Sequence, residues 1–143
     1  MAPDLPDDRG SSNSRSINTN IMIIKLDGQV PAQKNDKRIA INRRTGKPFP
    51  MTSPAVKAWQ ELVAWQLKAL NLEPFTDRVG ITYLFRVKDN RRRDLDNMEA
   101  SINDAIVKAG IIVDDSWQWC KTDDSDAHID KDNVGVTLTI RKV

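Results

Sequence analysis

Asp94-Leu95-Asp96-Asn97 and, further along, Asp114-Asp115 are the residues of this chain best suited to chemistry. Alternation puts the Asp94 and Asp96 carboxylates on the same side of an extended segment. The second acidic pair arrives from elsewhere in the sequence. Converging carboxylates with few other ligands suit a hard cation such as Mg²⁺. Arg91, Arg92 and Arg93 run directly into the acidic set, and guanidinium groups grip phosphate through paired hydrogen bonds. The combination predicts metal-dependent chemistry on a phosphate-bearing polymer. Crowded carboxylates repel one another, and a bound divalent ion removes that cost. The same ion can generate hydroxide and stabilise charge on a scissile phosphate.

Each of these residues also has a purely structural use. Asp96 can be a helix N-cap, with Glu99 completing a capping box, and Asp94 a surface loop residue. Asp114 and Asp115 follow Ile111-Ile112-Val113, which reads as a buried strand. Adjacent strand residues point to opposite faces, so at most one of these acids would face a pocket. The Asp-rich stretch 123–132 fails as a Ca²⁺ loop. Counted from Asp124 or Asp126, its sixth position is not Gly and its twelfth is not Glu. It reads as a solvated loop. Trp59 and Trp65 suit core and interface. Trp117 and Trp119 share a strand face fitted to core or dimer packing, with a wedge into distorted DNA as the other use.

A chain of 143 residues has room for one domain with a proper core. Its 39% hydrophobic and 29% charged content fits a globular fold that needs no lipid. The net charge of +2 hides an asymmetry. From Pro31 to Gln60, seven basic residues against one acidic give +6; from Asp114 to Asp132, seven Asp against two Lys give −5. A basic lobe facing an acidic pocket can hold a polyanion over a metal site. Within it the loop of Lys34, Lys37, Arg38, Arg43, Arg44 and Lys47 can track a nucleic-acid backbone non-specifically. Cys120 is the single cysteine, which fits a reducing compartment. No apolar run reaches the length of a membrane span, and the N-terminus has no secretory h-region. A cytoplasmic location follows.

The elements that must position these residues are legible in part. Residues 1–20 read as a disordered tail and 21–143 as the folded domain. Ile21 to Leu26 is a short β-run. Val30 to Pro50 is a long polar, basic connection with turn signals at Thr45-Gly46 and Pro48. Ser53-Pro54 starts a helix as N-cap and first helical residue, carried by Val56, Trp59, Leu62, Val63, Leu67 and Leu70 to a stop at Asn71. Gly80 to Val87 is a strand. A second helix starts near Asp96 on a stripe of Met98, Ile102, Ala105, Ile106 and Ala109, and Gly110 follows its end. Trp117 to Lys121 reads as strand, Thr122 to Asn133 as polar loop, and Val134 to Val143 as a closing strand. Strand, helix, strand, helix, strand, strand predicts an α/β (α+β) fold with two helices packed on a mixed sheet.

Arg92-Arg93-Asp94-Leu95-Asp96-Asn97, then Asp104-Ala105-Ile106 with Lys108-Ala109-Gly110, then Val113-Asp114-Asp115-Ser116 together resemble the RusA-type Holliday junction resolvases. The resemblance is specific from about residue 79 to 121. It implies a small, homodimeric endonuclease of bacterial or phage (often prophage) origin. Such an enzyme depends on Mg²⁺, with Mn²⁺ as a substitute, and resolves four-way DNA by paired nicks in recombination and repair. It implies catalytic and metal-binding roles for Asp94, Asp96 and Asp115, with Asp114 as a neighbouring metal ligand. DNA contacts then fall to Arg91, Arg92, Arg93, Lys34, Lys37, Arg38 and Lys121. The chain departs from the family at Ala100, where a Lys is usual, and Lys121 or Arg93 would have to supply that charge. The departure keeps a rival in view: a branched-DNA-binding phage accessory protein with weak or no cleavage.

Overall fold

The structure is a computed structural model that describes residues 21–32 and 37–143. The stretch 1–20 and Lys34 lie outside the described residues. The elements are β1 (Ile21–Asp27), β2 (Lys37–Ile41), β3 (Pro48–Thr52), α1 (Pro54–Leu70), β4 (Val79–Val87), α2 (Leu95–Lys108), β5 (Cys120–Ile129) and β6 (Gly135–Lys142). The expected alternation of strands and helices is present, with the hairpin β2–β3 added inside the basic connection. Asn42 builds the tip of that hairpin, its side-chain oxygen accepting from the Arg44 and Thr45 amides.

Period-two patterning sets the main sheet. Its strand order is β1-β6-β4-β5. β6 runs antiparallel to both neighbours, while β4 and β5 are parallel. A parallel pair needs a crossover, and α2 supplies it. The register lines up the inward residues in rows across all four strands: Leu26, Val136, Phe85 and Ala127; Ile24, Leu138, Tyr83 and Ser125; Met22, Ile140, Ile81 and Thr122. Trp59, Val63 and Leu67 of α1 and Met98, Ile102 and Ile106 of α2 join the same core. Both helices carry their apolar residues at helical spacing, so each buries one stripe against this face. Ser53 caps α1 by accepting from the Val56 amide, and Asn71 ends it in the left-handed region.

Three expectations for the segment after α2 are corrected. Ile111-Ile112-Val113 is not a strand. Gly110, at φ 77, ends α2, and the Gly110 and Ile111 amides donate back to Val107 and Ile106. The pattern is a Schellman cap. The Ile111 amide is therefore committed to the helix end, and Ile111 and Ile112 are buried without a ladder partner. Trp117 to Trp119 form a turn, in which Ser116 accepts from the Trp119 and Cys120 amides. Trp117 is exposed, which excludes the core use. Finally, the stretch read as a polar loop forms most of β5 (Cys120–Ile129). It is an edge strand whose outer face is open, so little in it had to be apolar, and its charges guard a free edge against pairing.

Among the described residues, no helix lies on the outer face of the sheet. On it Arg141 of β6 makes a bidentate pair with Asp123 of β5, at 2.7 and 2.9 Å. The pair spans the central strand β4 above Gly80, where an added Cβ would collide with the Asp123 carboxylate. Arg141 beside it holds the Asp123 carboxyl below the usual carboxylate range. Gly80→Ala is expected to break the pair and cost about 1–3 kcal/mol in urea denaturation. A depressed carboxyl contributes stability above the unfolded pKa and loses it as pH falls through the folded value. Melting temperature followed from neutral to acid pH should therefore fall less steeply in Gly80→Ala and Asp123→Asn than in the native chain.

Candidate nuclease site

The segment between β4 and α2 is organised by Asp89. Its carboxylate accepts from the Arg91 amide at 3.1 Å and from the Arg93 guanidinium at 2.8 Å. Arg93 also donates to the carbonyls of Asp89 and Arg91. These bonds hold the Asp89 carboxyl below its ordinary range, chiefly through Arg93. Of the three arginines, Arg93 is thus turned inward, its side chain only 11% exposed, and serves to fix the loop. Arg91 and Arg92 project outward with side chains 78% and 90% exposed. Sequence spacing could not separate these roles, because all three are the same residue type in one run.

Asp94, not Asp96, is the N-cap of α2, and its side chain makes no capping bond. Its carboxylate stays outside the backbone network, 3.6 Å from the Arg92 guanidinium. Asp96 sits in the first turn and accepts from the Asn97 amide at 3.0 Å. Both are exposed, at the helix end whose dipole favours negative charge. One turn further along the same side, Glu99 accepts from Thr122 of β5 at 3.1 Å.

The second acidic pair is held by the buried Ile111 and Ile112 just before it. Asp114 is half-buried and Asp115 exposed; the strand alternation expected to separate them is absent, because this segment is not a strand. Asp115 and Glu99 both act on Cys120. Burial first, then the carboxylates of Asp115, Asp123 and Glu99, push that thiol up to about 11. It stays protonated at neutral pH and is no nucleophile. Through Thr122, Glu99 ties the start of α2 to β5. The sequence offered it only as a capping residue; its spacing of three from Asp96 was the signal for more.

As the side chains stand, no three carboxylate, His or Cys groups among the described residues gather closely enough to hold an ion. The donor set is nevertheless of the right chemistry: hard oxygen ligands, exposed and mostly unspent. Mg²⁺ is usually held by one or two carboxylates plus substrate phosphates rather than by an all-protein cage, so a phosphate can complete what the protein leaves open. Lys121 lies at the start of β5, 3.6 Å from Asp123. The side chains of Lys37 and Arg38 lie outside the described structure.

A cavity of about 690 Å³ adjoins Asp94, with Lys88, Arg91 and Arg92 on its rim and Trp59 in its wall. Nothing in the sequence signalled it, because its walls come from three separate segments. Among the described residues, no helix is long and apolar enough to cross a membrane. A family model described as Endodeoxyribonuclease RusA matches residues 28–141. No curated protein matches the chain.

Proposed function

The chain belongs to the RusA endodeoxyribonuclease family, and from that premise we propose a Mg²⁺-dependent, structure-selective endodeoxyribonuclease that resolves four-way DNA by paired symmetric nicks. Membership implies a nuclease of the junction-resolvase kind. The observation that carries the finer reading is the start of α2. There the uncapped Asp94 carboxylate and Asp96 stand exposed beside the outward arginines Arg91 and Arg92.

Asp94, Asp96 and Asp115 would hold the ion, with Asp114 flanking. When bound, Mg²⁺ supplies charge to the scissile phosphate and acidifies water for in-line attack, giving 5′-phosphate and 3′-hydroxyl ends. The chain's own part is to position. Arg91 and Arg92 grip phosphate, Arg93 fixes their loop from within, and Lys121, Lys34, Lys37 and Arg38 would add further phosphate contacts. Two cuts across a junction call for two sites, which a twofold dimer provides. Ile23 and Leu84, exposed at 69% and 40% on the sheet face away from the helices, are apolar contacts such a partner could use. A cytoplasmic site of action suits an enzyme of DNA.

Ala100, at the position where a Lys is usual in the family, favours the second reading, a branched-DNA binder with little cleavage. One assay separates the two. Labelled four-way, three-way and linear duplexes are incubated with Mg²⁺ over a salt series. The nuclease reading expects symmetric nicks in the four-way form, and affinity that falls steeply as salt rises. Tight junction binding without nicks would retire cleavage, and salt-independent binding would remove the phosphate-tracking surface.

A further inference from the structure

The cavity beside Asp94 has two kinds of surface. Its wall is apolar, with Val30 from the segment after β1 and Val56 and Trp59 from α1; its rim is cationic, with Lys88, Arg91 and Arg92. The parts are fixed in advance. Gln29 accepts from the Lys88 amide and donates to the Val30 carbonyl, both at 3.1 Å. Ser101 of α2 donates to the Pro31 carbonyl at 3.1 Å. Val30 and Trp59 are buried at 2% and 7% exposure. The Asp89–Arg93 bonds hold the rim.

A space of about 690 Å³ is the size of a small-molecule pocket, far too small for a duplex. A phosphate alone would use the rim and leave the accessible apolar lining of Pro31, Ala32, Ala55 and Val56, over the buried Val30 and Trp59, in contact with water. A single nucleotide uses both, its base against the wall and its phosphate on the arginines. We infer that the cavity receives one unstacked nucleotide of branched DNA, next to the phosphate held at the acidic site. This inference rests on the nuclease reading and adds a source for its selectivity. Extruding a base costs a few kcal/mol in continuous duplex and least where pairing is already broken. A branch point supplies such a base.

The experiment places 2-aminopurine at each nucleotide flanking the branch point of a synthetic four-way junction and adds the full chain in EDTA, so that nothing is cut. Binding should brighten the probe several-fold at one flanking position. Ala55 lines the same cavity and is exposed at the start of α1, so Ala55→Phe can plug the opening with little risk to the core. It should abolish the brightening and lower the preference for junction over linear duplex by roughly tenfold, equivalent to about 1.4 kcal/mol. Arg91→Ala should instead weaken binding to both DNAs. Junction binding with no brightening at any position, or brightening that survives Ala55→Phe, overturns the nucleotide pocket while the nuclease reading stands. If the native chain binds no junction at all, both fall together.

Discussion

Asp96→Asn should lower junction nicking in Mg²⁺ by roughly 10²–10³-fold, the loss of a few kcal/mol of transition-state stabilisation. The substitution keeps the shape of the side chain and the oxygen that accepts from the Asn97 amide, so the start of α2 should be preserved. What it removes is one of the three carboxylate charges, beside Asp94 and Asp115, that would hold the ion. Binding should respond in the opposite sense. In EDTA, junction affinity should be equal to or greater than that of the native chain, because one fewer carboxylate repels the phosphate. Single-turnover nicking and a binding titration on the same preparation check both halves. Nicking within about fivefold of the native rate would exclude Asp96 from the metal site. A matching loss of affinity would mean that the substitution had damaged the fold instead.

Arg86→Leu should be the most destabilising change outside the site, by about 3–5 kcal/mol in urea denaturation. Arg86 is only 7% exposed, and its partners are all neutral acceptors. Its Nε donates to the Asn133 carbonyl at 2.7 Å, Nη1 to the Thr137 hydroxyl at 2.6 Å, and Nη2 to the Leu26 carbonyl at 3.3 Å. One guanidinium on β4 thus ties together β6, the turn before it and the end of β1. Leucine fills part of the volume but leaves these groups without their donor. At roughly 3 °C per kcal/mol for a chain of this size, the melting temperature should drop by about 10–15 °C. Arg86→Lys should recover only part of the loss, since an ammonium cannot offer the same planar fork. A cost under about 1 kcal/mol would mean that water replaces the guanidinium.

How much of this was legible beforehand depended on whether a residue's partners were local. Ser53-Pro54, Asn71 and Gly110 mark helix ends because capping is settled within a few residues, and all three sit where those signals put them. The stripes Trp59-Val63-Leu67 and Met98-Ile102-Ile106 were readable for the same reason. Strand assignments failed where neighbours in space decided the matter. Ile111-Ile112 looked like a strand, but helix capping took the Ile111 amide. Residues 122–129 looked like a loop because an edge strand with one open face has little need of apolar residues.

The sequence by itself determined the chemistry on offer: the acids Asp94, Asp96, Asp114 and Asp115, the arginine run beside them, and the helix start that presents the first pair. Residue type and spacing of a few positions are enough to specify those. Only the tertiary structure decided that Arg93 is spent inward on Asp89 while Arg91 and Arg92 face out. It alone brought Glu99 to β5, passed the Asp123–Arg141 pair over Gly80, and joined Val30, Trp59 and Lys88 around one cavity. Each of these depends on segments far apart in the chain meeting through the packing of α1 and α2 on the sheet, and no local pattern encodes where they will meet.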